Sequence, residues 1–301
     1  MEGEKLMRLH KIAIIVAAIL WGMMGFFSRN LSQLHMQTGG VIALRCGIGA
    51  ICFAVLMLFT NRTYFKIKLK DIWCFIGSGI FSLLFFSFCY FQAINCMNLS
   101  AAAILLYTAP SIVIIISFFI FKEPLTKRKV CAMLIAFLGC ALASGLTNGL
   151  RDFSLIGVCY GIGSGLGYAL YSIFARIALN KGYHSNAINF YSCLLASISA
   201  SFIWGIKEPI TIMMEAPYNL ILCIIMGVVT CFLPYFLYTF GLTKVEAGKA
   251  SIMASVEVVA ATLVGIIIFK EKLQFSALAG VILVLYAVNL LNHSSKKDTI
   301  F

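Results

Sequence analysis

Charged residues are scarce in this sequence, and acidic residues are the scarcest. Charged side chains make up 11% of the 301 residues and hydrophobic ones 61%, and the mean hydropathy is +0.99. A soluble chain of this composition could not cover its surface with polar groups. The lack of charge therefore excludes an ordinary soluble protein and predicts an integral membrane protein.

The shortage of acids leaves a strong excess of basic residues. There are 11 Asp and Glu against 23 Lys and Arg, which gives a formal net charge of +12. Such an excess indicates nucleic-acid binding only when it is clustered on a soluble face. Here the basic residues occupy short connectors between apolar runs, where they are typical of residues that orient a protein in a membrane. We expect the lipid bilayer, and not nucleic acid, as a partner.

Residues and motifs that carry enzymatic chemistry are also few. The four histidines fall in connectors or tails, and HExxH, GxSxG and P-loop patterns are lacking. The eleven cysteines are scattered through apolar runs without a CxxC pair, which is typical of small buried hydrophobes. We therefore predict a protein that is not an enzyme, with no catalytic residues, no cofactor and no metal site.

Ten apolar runs of about 20 residues follow one another, and about 20 residues suffice for a helix to cross a bilayer. The first run could be a signal peptide, but it is long, contains Trp21 and lacks a clear cleavage site, so we interpret it as a retained helix. A loop with Pro209 and Pro217 separates the seventh and eighth runs. The predicted spans are residues 12–27, 39–59, 72–94, 99–121, 130–146, 155–179, 187–206, 220–242, 248–269 and 277–291.

The distribution of basic residues predicts the orientation of these spans. With the N-terminus in the cytoplasm, sixteen Lys and Arg fall in cytoplasmic segments, including a basic tail with Lys296 and Lys297, and four fall in outer connectors. Positively charged connectors stay inside. We therefore predict a multi-pass protein of the cell membrane with both termini cytoplasmic.

A block of sequence recurs 148 residues further along the chain. Ile120-Phe121-Lys122-Glu123 aligns without gaps with Ile268-Phe269-Lys270-Glu271. Apolar matches alone would suggest coincidence between hydrophobic helices, but a shared charged ending favours duplication. We predict an all-α membrane protein built from two five-helix repeats, residues 1–147 and 148–301. An odd number of spans inverts the second repeat, and inverted repeats indicate alternating access to a site near the midplane.

Two segments resemble the EamA family of the drug/metabolite transporter superfamily. One is residues 105–125, with Pro110 and a Lys-Glu-Pro-Leu ending, and the other is residues 245–271. The resemblance covers nearly the whole chain and implies secondary transport of a small metabolite, often efflux, through a cavity lined by spans one, three, four, six, eight and nine. It departs at Val258, which follows Glu257 where the family often has proline.

Glu257 is the single carboxylate near the middle of the ninth span. An ionisable group at this depth costs on the order of 3 kcal/mol to insert, so a functional role is the default hypothesis. Glu257 could couple transport to protons or bind a cation. Alternatively, it could hold the ninth span against a neighbour, since Ala254, Ala261 and Gly265 form a small-residue face beside it.

Other candidates for the cavity are polar or aromatic. Arg45 could bind an anionic substrate or pair with Glu257, but it could also extend to the outer interface. Tyrosine hydroxyls in a membrane need partners, so the tyrosines should face the bundle interior. They would suit amino acids, aromatic metabolites or quaternary ammonium compounds. The candidates are Trp21, Arg45, Tyr90, Tyr107, Tyr168, Tyr171, Tyr235, Tyr238 and Ser255.

Pro110 and Pro234 should kink the fourth and eighth spans and free backbone carbonyls, either to line a polar cavity or only for packing. The sequence thus favours a secondary transporter of a small organic metabolite, with exported amino acids or related compounds as the leading substrates. It leaves open an importer or exchanger of a cationic metabolite, a membrane sensor or assembly subunit without transport, and assembly as a homodimer.

Overall fold

The computed structural model of the chain describes residues 2–97, 99–144, 154–270 and 274–292. All regular structure within these ranges is helical, which confirms the predicted all-α class. The polar break near the midpoint, Glu271 at the end of the second charged block and the basic tail lie outside the described residues.

The first half of the chain folds into eight helices, with a π-helical stretch at Gly77–Leu84 between the fourth and the fifth. Thr126 caps α8 by accepting a hydrogen bond from the Lys129 amide at 3.2 Å. The helices are α1 (Glu2–Gly22), α2 (Met24–Gln33), α3 (Thr38–Thr60), α4 (Ile72–Ile76), α5 (Phe85–Cys96), α6 (Leu99–Leu106), α7 (Ala109–Phe121) and α8 (Lys127–Ala143).

The second half also folds into eight helices, with a π-helical stretch at Val228–Phe232. The loop predicted between the seventh and eighth spans contains a short helix, α11, because Pro209 near its first turn is compatible with helix initiation. The helices are α9 (Leu155–Asn180), α10 (Ser185–Trp204), α11 (Lys207–Glu215), α12 (Pro217–Gly227), α13 (Leu233–Leu242), α14 (Ala247–Ala254), α15 (Val256–Ile267) and α16 (Phe275–Asn292).

Eight continuous helical stretches of the described chain are long and apolar enough to cross a membrane. They correspond to eight of the predicted spans, which we continue to number as above. The fifth and tenth predicted spans form the shorter helices α8 and α16. The eight stretches are Glu4–Gln33, Thr38–Thr60, Leu69–Cys96, Ala101–Phe121, Leu155–Asn180, Ser185–Trp204, Pro217–Leu242 and Ala247–Ile267.

Irregularities in the helices fall at matching positions of the two halves. Span four is interrupted after Leu106, and span nine after Ala254, 148 residues later. Both π-helical stretches lie within spans three and eight and end 148 residues apart. Lys122 and Lys270 both have a left-handed backbone, with φ of 54° and 53°. The backbone therefore departs from regular α-helix at the same points of the repeated pattern.

Helices that pair across the two halves pack closely through small residues. The pair α8–α16 meets at Gly139, where an added Cβ would lie 2.8 Å from the carbonyl oxygen of Gly280. The pair α3–α10 is joined by the Ser197 hydroxyl, which donates to the Ala43 carbonyl at 2.8 Å. These contacts hold the two helices of each pair together.

A buried ion network joins the halves at one end of the bundle, which we call the basic end. The Glu123 carboxylate accepts hydrogen bonds from the amides of Ala247 at 2.8 Å and Gly248 at 3.2 Å. These are orphan donors at the start of α14. Lys129 pairs with Glu123 at 3.3 Å and with Glu246 at 3.0 Å. Glu123 thus caps a helix of the second half from the first half.

Charges at the basic end also hold the connectors. Burial raises the pKa of Glu246, but Lys129 and the more exposed Lys249 outweigh that effect and lower its pKa below the ordinary value. Lys181 donates to the Asp71 carboxylate, which raises the pKa of the lysine. Tyr183 donates to the same carboxylate at 2.8 Å. Asp71, which is 5% exposed, is therefore a neutralised anchor.

The two ends of the bundle are packed differently. At the basic end, α7 of span four lies against α14 of span nine. The opposite halves of these same spans, α6 and α15, have no comparable contact among the described residues. The bundle is therefore closed at the basic end and looser between spans four and nine at the other end.

Candidate functional site

Glu257 lies where span nine is interrupted. Helix α14 ends at Ala254 and α15 begins at Val256, which places Glu257 in the first turn of α15. About ten residues of helix separate it from the basic end, or roughly 15 Å. The side chain stays partly exposed, and its carboxylate accepts a hydrogen bond from the Tyr168 hydroxyl at 3.0 Å. A carboxylate near mid-depth thus has a hydroxyl partner from span six.

Aromatic rings from four spans surround a small central cavity. The Trp21 ring centroid lies 5.2 Å from those of Tyr235 and Tyr238 and 6.2 Å from that of Tyr168. The rings of Tyr171 and Tyr235 lie 4.7 Å apart. The cavity they line measures about 20 Å³, which is room for one water molecule. Five of the predicted site residues are therefore brought together, in a conformation too tight for a metabolite.

Hydrogen bonds on the side of the cavity nearer the basic end hold spans six, seven and eight together. The Tyr171 hydroxyl donates to Asn189 at 2.5 Å and lies 2.9 Å from the Thr239 hydroxyl. The hydroxyls of Ser172 and Tyr238 lie 2.7 Å apart. All five side chains are buried. The cavity floor is therefore a satisfied polar layer, which favours a single arrangement.

The sequence analysis missed three members of this layer, Ser172, Asn189 and Thr239. Each is a polar residue inside an apolar span, and a buried polar group needs a hydrogen-bond partner in the bundle. The requirement holds for hydroxyls and amides as well as for tyrosines, so the same signal identifies all three residues.

Arg45 lies on span two, about seven residues from the end opposite the basic end. It is 8% exposed and does not extend to the surface. Its Nη1 donates to the Met24 sulfur at 3.7 Å, and its Nε is buried without a hydrogen-bond partner. No ion pair among the described residues joins it to Glu257. Of the three roles considered from the sequence, neither the ion pair nor the interfacial anchor is present in this conformation.

The remaining candidates surround the site without lining the central cavity. Tyr90 stacks on Phe86 at a centroid distance of 6.0 Å, and Phe86 itself lines the cavity. Tyr107 lies at the interruption of span four and Ser255 at that of span nine. Pro110 is the second residue of α7, after the first interruption, and Pro234 is the second residue of α13, which follows the second π-helical stretch directly.

Span nine is interrupted without a proline. The backbone tightens around Ser255, whose amide bonds to the Ile252 carbonyl at 3.1 Å while the Val258 amide bonds to the Ser255 carbonyl at 3.1 Å. These three-residue bonds replace the four-residue pattern of an α-helix. Val258 therefore does not prevent the irregularity for which the family pattern uses proline.

The site offers acid–base and recognition chemistry. A protonatable carboxylate, several phenols and a buried guanidinium lie near the middle of a bundle of membrane-spanning helices. Within the described ranges, no group of three or more His, Cys, Asp and Glu could hold a metal ion. Ionisable groups inside membrane helices mark the pathways of substrates or ions. This fold and site define a multi-pass membrane transporter.

The chain belongs to the EamA-like transporter family, whose model matches residues 9–145 and again 155–292. It is 28% identical over 283 residues to an uncharacterized transporter of Archaeoglobus fulgidus, with 94% of this chain and 96% of the relative covered. It is 23% identical to the uncharacterized transporter YetK of Bacillus subtilis over 250 residues, which cover 79% and 73% of the two chains.

A solved crystal structure shares the fold. It superimposes with a TM-score of 0.78 at 14% sequence identity and covers 94% of this chain and 96% of its own. At this identity the likeness concerns the fold alone. Family and fold together make the chain a multi-pass transporter of the cell membrane.

Proposed function

We propose that this protein is a secondary transporter that exports a small organic metabolite across the cell membrane by alternating access. In this proposal it has ten spans in two inverted repeats, residues 1–147 and 148–301, with both termini in the cytoplasm. The observation that carries the proposal is the carboxylate of Glu257 at mid-depth, bonded to Tyr168 and set at a helix interruption.

The matching irregularities support the repeat. Duplication accounts for interruptions, π-helical stretches and left-handed lysines that recur 148 residues apart. The two family matches, residues 9–145 and 155–292, divide the chain close to the proposed boundary. In an inverted repeat, the part of span four near one membrane face corresponds to the part of span nine near the opposite face. The two parts can therefore exchange roles when the transporter changes state.

The unequal packing of spans four and nine supports alternating access. Since the basic end faces the cytoplasm by the positive-inside rule, the contact of α7 with α14 closes the inner face, and the looser α6 and α15 face outward. The opposite state would require α7 and α14 to separate while α6 and α15 close. Export then consists of loading from the inside, followed by return to this arrangement.

Glu257 is the proposed coupling residue. Protonation would neutralise the Glu257 carboxylate and so change the relative energies of the two states of the transporter. Tyr168 donates a hydrogen bond to this carboxylate, so movement of span six or span nine would change the surroundings of the coupling group. Proton entry from outside would thus be linked to movement of span nine.

Amino acids or related compounds are the proposed substrates. The surrounding rings of Trp21, Tyr168, Tyr235 and Tyr238 supply apolar faces together with polar edges. An importer or exchanger of a cationic metabolite would use the same carboxylate as a binding group. The direction of proton-driven flux separates these two functions.

The test is flux in proteoliposomes, preceded by a thermal-stabilisation screen of amino acids, nucleosides, sugars, organic acids and quaternary amines at two pH values. We expect an imposed pH gradient to drive transport of a stabilising compound in the direction opposite to proton flow. Glu257→Gln should abolish proton-driven transport, while Glu215→Gln, at an exposed position on α11, should behave as the unmodified protein. Unchanged pH dependence in Glu257→Gln would remove the coupling role, and lack of flux for every compound would remove the transporter.

A further inference from the structure

The guanidinium of Arg45 is the least satisfied charge in the described part of the bundle. Its Nε atom is buried without a partner, and the described partners of its side chain are two sulfur atoms, that of Met24 at 3.7 Å from Nη1 and that of Cys46. A thioether is a weak acceptor. A buried cation is normally paired with an anion or with several good acceptors. Arg45 is only 8% exposed, and it has neither an anion nor several good acceptors beside it.

The groups that interact electrostatically with this guanidinium include the thiols of Cys46, Cys193 and Cys231 and the phenol of Tyr235, none of which is a carboxylate. Glu257 interacts with Arg45 through space, but its carboxylate is bonded to Tyr168 at 3.0 Å. The described surroundings therefore do not supply the anion that the arginine lacks.

A second unsatisfied donor lies on the same side of the bundle. The indole Nε1 of Trp21 is also buried without a partner, and the residue is 8% exposed. The ring of Tyr235 links the two, because it packs 5.2 Å from the Trp21 ring and its phenol interacts electrostatically with Arg45. Met24, which contacts Arg45, follows Trp21 by less than one helical turn. Two unpartnered N–H donors thus flank one tyrosine.

We infer that Arg45 and Trp21, both linked to Tyr235, form a subsite for a carboxylate group of the transported compound. A planar guanidinium offers two parallel N–H donors that match the two oxygens of a carboxylate. Trp21 adds a neutral donor and an aromatic wall. The backbone of Glu257 packs against Gly22, the residue that follows Trp21 in span one. A carboxylate on Arg45 would leave Glu257 free for a cationic group or a proton.

The inference rests on the proposed function and narrows it to substrates with a carboxylate. It disfavours quaternary amines without an acid group and neutral sugars, both of which would leave Arg45 unpaired. It also assigns the opposite ends of a zwitterion to separate walls of the site.

The test compares carboxylates with their uncharged amides, since each pair differs in the group that Arg45 would bind. The probes are benzoate with benzamide, and L-phenylalanine and L-threonine with their amides. Thermal stabilisation of the detergent-purified protein is measured with each probe. We expect at least one carboxylate to bind about ten-fold or more tightly than its amide, as charge-assisted hydrogen bonds allow.

Matched variants assign the effect to Arg45. Arg45→Leu should abolish the preference for carboxylate and, without ligand, should be at least as stable as the original protein, because an uncompensated buried charge is gone. Arg45→Lys should keep a weaker preference, and Trp21→Phe should reduce affinity while keeping the ring. Lys66→Gln removes an exposed charge of the basic end and should retain the full preference.

The outcomes distinguish this inference from the proposed function. Equal responses to acids and amides, no response to any carboxylate, or an unchanged preference in Arg45→Leu would overturn the subsite. Transport that persists with any of these results would leave the proposed function standing. Conversely, carboxylate binding that depends on Arg45 without flux in liposomes would keep the subsite and remove the transporter.

Discussion

Replacing Lys129 by methionine tests the buried network at the basic end. Lys129 is 2% exposed and pairs with Glu123 at 3.3 Å and Glu246 at 3.0 Å. Methionine keeps an apolar stem and removes the ammonium group. The Glu123 carboxylate, 7% exposed, would keep only the two amides of α14. Removing one partner of a buried pair costs about 3–5 kcal/mol, so we expect a loss of that order in the free energy of unfolding.

A matched variant separates burial from charge. Lys249 pairs with the same Glu246 at 3.3 Å, but its side chain is 38% exposed. An exposed pair contributes about 0–1 kcal/mol, so Lys249→Met should be nearly neutral. The double variant Glu123→Gln/Lys129→Met removes both buried charges and keeps an amide oxygen for α14. It should therefore be more stable than Lys129→Met alone.

Equilibrium unfolding in mixed micelles, followed by circular dichroism and repeated for each variant, measures these differences. Equal stabilities of Lys129→Met and Lys249→Met would contradict a difference between the buried pair and the exposed pair. A double variant that is less stable than Lys129→Met would also contradict it, because that result would mean that Glu123 stabilises the fold without its lysine.

Three further predictions use the same unfolding measurement. Gly22→Ala should destabilise the bundle, since the new Cβ would lie 2.5 Å from that of Ala260. Gly25→Ala is the control, because its Cβ would have nothing within 4 Å, and it should be neutral or stabilising by about 0.5–1 kcal/mol. Equal effects of the two variants would contradict a close contact at Gly22. Asn189→Leu should cost about 1–3 kcal/mol by leaving two buried hydroxyls without their acceptor, and a neutral result would show that the polar layer does not stabilise the fold. The pKa of Glu246 in the folded protein lies below its ordinary value of 4.5. The stability that the Glu246 carboxylate contributes is therefore present above pH 4.5 and is lost as the pH falls through the lowered pKa. Glu246→Gln should lack this acid-dependent loss of stability.

The sequence predicts most of the fold because hydrophobic length is a direct requirement of the bilayer. Eight of the predicted spans correspond to helical stretches long enough to cross it. The short helix at Lys207–Glu215 was not predicted, since two prolines in a polar stretch are equally compatible with a loop. Helix interruptions also escape sequence periodicity, because span nine tightens at Ser255 without any glycine or proline there.

The site was predicted less completely, because depth in the membrane does not determine which groups meet. The rule that tyrosines seek partners found Tyr168 and Tyr171, and both are hydrogen-bonded. It could not identify Glu257 as the partner of one and Asn189 as that of the other, since these bonds join residues 89 and 18 positions apart. The repeated Lys-Glu block drew attention to Glu123, but its role as a cap on α14 follows only from the three-dimensional arrangement.

The irregular backbone and the polar chemistry of this protein have different histories if both halves descend from one unit. The interruptions of spans four and nine occupy equivalent positions. The charged groups near the cavity do not, because Glu257 corresponds to Ala109 and Arg45 corresponds to Cys193 at the same 148-residue offset. On this view the bends belong to the shared unit, whereas each charge belongs to one half alone. The two halves then supply the same hinges but different chemistry to one site.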